Sequence, residues 1–290
     1  MKSSLLAFAG LAALSAPAFA EETQRSSYAP EESLWELRLG GTGLWAPDYP
    51  GANEESFNWA AAPIFIYRGD RIRFGEYGMA RAIATETKRF ELDLSVDAAY
   101  AAESDDNTAR RGMPDIDYLL QIGPQAIINF KDTGWTANGR DEIKLRIPVR
   151  GVAATDFRSI EHAGWLAEPT LSYRHRWPGE RRMGVTASLF ASFADEQLQD
   201  YYYGVAPQFA APGRPAYVAD GGYLGAGMNI SATREMHDNF QIYLTWQGRS
   251  FEGAANQDSP LHRADYTSAV SVSFVWKMLR SKRPAQNDDM

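Results

Sequence analysis

The sequence predicts an all-β chain folded as a single antiparallel transmembrane β-barrel. Three observations predict it: strictly alternating amphipathic stretches, an export signal ahead of them, and connections that alternate between long and short. In residues 89–100, RFELDLSVDAAY, one face holds Phe90, Leu92, Leu94, Val96, Ala98 and Tyr100. The other holds Glu91, Asp93, Ser95, Asp97 and Ala99. Residues 142–149 repeat the pattern, with Ile143, Leu145, Ile147 and Val149 against Glu142, Lys144, Arg146 and Pro148. Successive strand side chains point to opposite faces, so a period of two reads as strand. A purely apolar face opposite a charged one suits a wall between lipid and water.

The chain opens on a secretory signal. Lys2 supplies the positive end, residues 5–14 are apolar, and Ala18, Phe19 and Ala20 form an A-x-A site, so cleavage is expected between Ala20 and Glu21. The apolar run is shorter than the ~20 residues a spanning helix needs. Removal of residues 1–20 from 290 leaves 270, enough for a barrel of about ten to fourteen strands at ~10 residues per strand plus turns. Residues 21–33 read as a polar lead, 34–278 as the barrel and 279–290 as a polar tail lacking the composition to fold.

Within the barrel region, strands are predicted over residues 34–45, 58–67, 71–76, 78–85, 89–101, 118–130, 141–153, 164–177, 183–193, 222–233, 239–250 and 266–278. That makes about twelve, the even count a single-chain bacterial barrel prefers; merging the third and fourth would give about eleven. Counting back from the C-terminus, 251–265 is long and 234–238 short, then 194–221 long and 178–182 short. Segments 154–163 and 131–140 are intermediate, 102–117 is long and 86–88 short. Barrels of this class have short periplasmic turns and longer outer loops, which places the four longer connections outside. A soluble β-sandwich also has many strands but gives no reason for this alternation.

Aromatic residues near strand ends supply a further test. Phe90 and Tyr100 would stand ~25 Å apart along the membrane normal, the height of an apolar band. Trp35, Trp45, Phe90, Tyr100, Trp165, Trp177, Trp246 and Trp276 are the candidate membrane-interface aromatics. The opposite faces carry Glu36, Arg38, Glu91, Asp93, Asp97, Glu142, Lys144, Arg146, Arg150, Glu168 and Arg174, the candidate lining of a lumen. Arg146 and Arg150 are expected to oppose Glu91 and Asp93. Mixed signs suit either a polar channel lining or a salt-bridged plug.

Composition removes several function classes. There is no cysteine, so no disulfide framework, thiolate nucleophile or lipidated N-terminal Cys is available. The formal charge of −8, or −9 after loss of Lys2, with no basic cluster argues against nucleic acid. The four histidines, His162, His175, His237 and His262, form no H-E-x-x-H pair, and no G-x-S-x-G elbow or phosphate loop occurs. No catalytic residue, metal site or cofactor is expected. His262 near Ser259 is the best pair for serine chemistry, weighed against an ordinary loop histidine. Glu103, Asp105, Asp106, Asp115 and Asp117 make an acidic loop that Arg110 and Arg111 neutralise, which reads as solvated surface rather than a cation site. Arg68, Gly69 and Asp70 read as a tight turn.

Several short motifs then carry a resemblance. GGTGLWAPDYPG at residues 40–51 resembles the first strand and loop of the MipA/OmpV family of outer-membrane proteins. Residues 62–74, with a Pro–aliphatic–aromatic run, and 90–100 are similar to its next strands. QDYYYGV at 199–205, then 214–217, Gly221 and Gly222, and Asp258, Ser259 and Pro260 follow in the family's order. The chain departs from a common barrel pattern by ending on a polar tail beyond Trp276, Lys277 and Met278 rather than on an aromatic residue.

The resemblance implies a non-enzymatic outer-membrane protein. One member type is a scaffold joining a murein lytic transglycosylase (MltA) to a penicillin-binding murein synthase. Other members are described as adhesins or as envelope proteins affecting solute or antibiotic entry. The expected partners are therefore outer-membrane lipid and those two murein enzymes. Trp135, in the turn 131–140, is the candidate partner contact. The alternatives are a narrow pore, and a surface adhesin using the tyrosine-rich loop 194–221.

Overall fold

The computed structural model describes residues 33–68, 73–74, 85–86, 89–179 and 183–283. The expected signal segment, the expected Ala20–Glu21 cleavage and the lead up to residue 32 lie outside the described residues. So do Gly69 and Asp70 of the expected turn.

The described chain is a single antiparallel sheet of 13 strands. They are β1 (Trp35–Pro47), β2 (Glu55–Arg68), β3 (Arg73–Phe74), β4 (Thr85–Glu86), β5 (Phe90–Ala99), β6 (Tyr118–Asp132), β7 (Arg140–Thr155), β8 (Ile160–Ala167), β9 (Thr170–Arg176), β10 (Met183–Ala194), β11 (Gly222–His237), β12 (Phe240–Ser250) and β13 (Tyr266–Arg280). One short helix, α1 (Glu196–Tyr203), lies in the connection after β10. Among the described residues no helix is long and apolar enough to cross a membrane.

The topology is a meander in which β1 also pairs with β13 along Trp45↔Val270 to Glu36↔Arg280. The strand order therefore runs from β3 through β2, β1 and β13 down to β5 and β4. Of the expected third and fourth strands only β3 and β4 are described. Their pairing with each other, and with it the count of about twelve, falls outside the described residues.

Alternation sets the two faces. Along β13 the outward residues Tyr266, Val270, Val272, Trp276 and Met278 are exposed, while Thr267, Ala269, Ser271, Ser273, Val275 and Lys277 line the interior. Along β7, Glu142 and Lys144 are buried whereas Ile147 and Val149 are exposed. The apolar side faces out and the polar side faces in, the inverse of a water-soluble fold.

Two boundaries differ from expectation for identifiable reasons. The expected strand 164–177 is broken into β8 and β9 at Glu168 and Pro169; proline has no N–H to give a ladder. Both pieces still pair with β7 and β10, and the in–out phase carries across the break. The last strand runs through Arg280, so Leu279 and Arg280 of the expected tail are strand, held by Leu37↔Leu279 and Glu36↔Arg280. The Leu34 amide extends that contact by donating to the Arg283 carbonyl at 2.9 Å.

The compact apolar core lies at one end of the sheet, beneath the long connections. It gathers Tyr49, Ile116, Leu119, Val152, Leu166, Leu198, Tyr202, Tyr203, Val205, Leu224 and Leu261. Helix α1 starts there because Asp195 caps it, accepting from the Leu198 amide at 3.0 Å. The same carboxylate accepts from the Trp165 amide at 3.0 Å, tying α1 to β8. Gly164, at φ +120°, allows that approach: a Cβ there would stand 2.6 Å from the Leu198 nitrogen.

Candidate functional site

Two features stand out inside the sheet: a charged interior and a roof of packed loops. Residues from β1, β2 and β5–β13 surround a cavity of about 860 Å³.

The charged interior is built from acid–base pairs. Glu142, 2% exposed, has Lys144 Nζ and Arg176 Nη2 at 3.0 Å, Arg174 Nη1 at 3.6 Å and Arg140 Nη2 at 3.7 Å. Arg140 also binds Asp132 at 2.5 Å. Higher up, Arg150 donates to Ser95 Oγ at 2.8 Å, Gln121 Oε1 at 3.1 Å and Asp97 Oδ2 at 3.2 Å. Across the cavity, Arg249 meets Glu168 at 3.2 Å and lies 4.8 Å from the centre of the Phe190 ring. Glu168 also accepts from Ser192 Oγ at 2.6 Å. Arg38 pairs with Glu36 at 2.6 Å. Buried charges persist only when paired in this way.

The expected opposition is rearranged for Arg150. Arg150 engages Asp97 rather than Glu91 or Asp93. Arg146 donates to Ser172 Oγ at 3.4 Å and lies in the field of Glu142, Glu91 and Asp93. Glu91, Asp93, Lys144 and Arg174 are buried on the same inner side. Sequence reading passed over Arg140, Arg176 and Arg249. The first two are in phase with Glu142 and Arg174, a period-two signal that could have found them.

The roof joins the β1–β2, β5–β6, β10–β11 and β12–β13 connections. Tyr49 Oη donates to the Leu261 carbonyl at 2.7 Å, and Tyr203 Oη to the Pro50 carbonyl at 2.9 Å. Arg110, 4% exposed, donates to the carbonyls of Tyr202 at 3.0 Å and Pro114 at 3.1 Å and to Ser104 Oγ at 3.2 Å. Arg214 donates to the carbonyls of Ala109 and Arg111 at 3.0 Å. Buried Asn256 joins Gln199 Oε1 at 2.9 Å to the Asp220 carbonyl at 2.8 Å. Burial pushes the Tyr49 hydroxyl up to about 12 and raises Tyr202 and Tyr203 as well.

Motifs that carry the family resemblance meet in this roof: the segment around Tyr49, residues 202–205, Arg214, Tyr217 and Ser259. Tyr202 and Tyr203 are buried in the core, so the tyrosine-rich loop offers much less aromatic surface than its sequence suggests.

The remaining candidates fall as follows. Ser259 Oγ donates to the Tyr203 carbonyl at 2.8 Å, while His262 Nε2 faces Asp265 Oδ1 at 3.2 Å, so this pair is not arranged as nucleophile and base. Among the described residues no group of three or more His, Cys, Asp or Glu is placed to hold a metal. Burial, then crowding by Asp156, Asp115 and Glu161, raises Asp117.

Trp45, Phe90, Trp165, Trp177 and Trp276 are exposed on the outer side. Trp35 and Trp246 are half-buried, Trp35 against Phe65. Tyr100 departs from the expected rim: it follows the end of β5, lines the cavity and has a buried hydroxyl. Trp135 also turns inward, with the Arg176 guanidinium 4.9 Å from its ring centre.

Structures with similarity include a Pseudomonas aeruginosa FadL homologue, at 8% identity and TM-score 0.28 over 86% of this chain and 91% of that one. The CymD monoaromatic hydrocarbon channel follows at 9% and 0.26, over 88% and 69%. Pseudomonas aeruginosa OccK2 (OpdF) in complex with glucuronate stands at 10% and 0.21, over 76% and 66%. At scores this low nothing is drawn from these likenesses. No curated protein matches the chain. The family described as MltA-interacting protein MipA matches residues 39–278, most of the chain. The protein belongs to the MipA family.

Proposed function

We propose that the protein is an outer-membrane β-barrel with no chemistry of its own, anchoring murein-remodelling enzymes at its short-turn end. The outward apolar belt supports the membrane placement. It includes Phe57, Trp59, Leu120, Ile122, Leu189, Leu244 and Val272, all exposed. The reading takes in export behind the signal peptide cut between Ala20 and Glu21. The observation that favours a scaffold over an open channel is the roof. With the long-loop end covered by a packed core, the turns at the other end remain the accessible surface. Short turns of such barrels face the periplasm, where murein lies. Family membership supports a murein enzyme as partner: a lytic transglycosylase, with a penicillin-binding synthase beyond it.

The test is photo-crosslinking in living cells from Asn138, an exposed position in the turn that holds Trp135. Capture of a lytic transglycosylase or a murein synthase is expected. An inserted protein that captures neither from residues 136–138 would end this reading.

The cavity of about 860 Å³ favours a second reading, a narrow solute path through the charged interior. Discrete conductance in planar bilayers, altered by Arg146→Ala or Arg150→Ala, would support it. Silent bilayers with correctly folded protein would count against it. The adhesin reading draws less support, because Tyr202 and Tyr203 are packed inside the roof.

A further inference from the structure

Polar side chains interrupt the apolar outer face where β6, β7 and β9 reach the short-turn end. Asp141 is the second residue of β7 and lies opposite the inward Glu142. Its Oδ1 accepts from Tyr173 Oη at 2.9 Å and faces His175 Nδ1 at 2.8 Å. Its other oxygen, Oδ2, has Lys131 Nζ at 3.7 Å, beyond hydrogen-bond length. Trp177 stands edge-on to His175, with ring centres 4.5 Å apart. Tyr173 and Trp177 are exposed on the outer surface.

Such a group is costly in hydrocarbon, so it belongs at headgroup depth. Its geometry is also selective. Tyr173 and His175 fix one oxygen of Asp141 and hold the carboxylate in place. The second oxygen holds Lys131 only in a long ion pair, so a closer ammonium donor can reach it, and Lys131, half-exposed, stands beside it with donors for a phosphate. A carboxylate and an ammonium side by side match a headgroup carrying phosphate and primary ammonium.

Resting on the membrane placement proposed above, we infer that Lys131, Asp141, Tyr173 and His175 form a binding site for the phosphoethanolamine headgroup of a periplasmic-leaflet phospholipid. Asp141 Oδ2 accepts from the lipid ammonium, and Lys131 Nζ donates to the phosphate. Trp177 packs beside the glycerol region, as interfacial aromatics do.

The experiment is native mass spectrometry of the full refolded chain in detergent, titrated separately with phosphatidylethanolamine, phosphatidylcholine and phosphatidylglycerol. Choline carries no N–H to give Asp141, and glycerol carries no cation. Phosphatidylethanolamine is expected to be retained roughly tenfold better than either, the value of one charge-assisted hydrogen bond. Asp141→Asn should remove that preference. Lys131→Gln leaves the Asp141–Tyr173–His175 group intact and should weaken all three phospholipids; it decides the matter if the first variant does not fold. Equal retention by the parent chain, a preference that survives Asp141→Asn, or retention of all three lipids unchanged by Lys131→Gln overturns the inference. Quenching of tryptophan fluorescence by brominated acyl chains separates the two levels. A chain that is quenched but shows no headgroup preference loses this site alone, whereas a chain that is not quenched loses the membrane placement itself.

Discussion

Asn107 Nδ2 donates to Asp48 Oδ2 at 2.7 Å, joining the β5–β6 connection to the β1–β2 connection. Beside it the Thr108 amide donates to Glu54 Oε2 at 2.6 Å. In the strand order these two connections lie towards opposite ends of the sheet. Their meeting means that the sheet curls until its ends approach one another at the roof, and Asn107 is the clasp.

Asn107 is 1% exposed, and its Oδ1 also accepts from the Ala109 and Arg110 amides. Asn107→Ala removes the bond to Asp48 and leaves the buried Ala109 amide unmet, a loss of about 2 kcal/mol. Urea unfolding of the refolded protein should show a lower midpoint, with earlier protease cleavage in residues 100–117.

The roof should open at alkaline pH. The Tyr49 hydroxyl rises from an ordinary 10.0 to about 12 because burial disfavours its anion. A raised folded-state value means stability that is complete below pH about 10 and lost as pH rises through about 12. Tyr202 and Tyr203 shift in the same direction. Tyrosinate absorbance should show a late step coincident with protease access to residues 195–221. A late step with the loops still protected would contradict this account.

Adjacent residues of β10 should respond oppositely to charge. Leu189 is exposed on the outer face, and Ser188 lines the interior. In bilayers, Leu189→Arg should cost about 2–4 kcal/mol near mid-membrane, whereas Ser188→Arg should cost much less. Folding equilibria in lipid vesicles measure both; equal costs would refute the outward face as lipid-facing.

Glu142 is the acid on which Arg140, Lys144, Arg174 and Arg176 converge. Glu142→Gln keeps the shape but leaves buried cations uncompensated, at about 3–5 kcal/mol. The urea midpoint should fall further than for Arg38→Gln, whose guanidinium pairs with Glu36 near the strand end.

Much of this was legible from one chain. Residues 89–100 fix which face of β5 is apolar, because a strand admits only one alternation for a given register. The same rule places Glu142, Lys144 and Arg174 together on one inner face without any knowledge of contacts. Loop lengths separated the two ends of the sheet except between β6 and β8, where the expected outer connection 154–163 shrinks to 156–159, shorter than the turn 133–139 at the other end.

Other features needed distances between segments far apart in the chain. Nothing local tells that Tyr203 binds the Pro50 carbonyl or that Arg110 reaches Tyr202, so the sequence left open whether the tyrosine-rich loop is exposed or packed over the mouth, and Tyr202 and Tyr203 lie in the core. Trp135 read as a projecting turn residue, yet Arg176 on β9 draws its ring inward. Pairing of Arg150 with Asp97 rather than Glu91 depends on stagger between strands, which alternation leaves open. The sequence by itself determined the strands and their two faces, because that information is carried by neighbours along the chain. Only the tertiary structure decided which charges pair and which loops seal the sheet, because those contacts form through space.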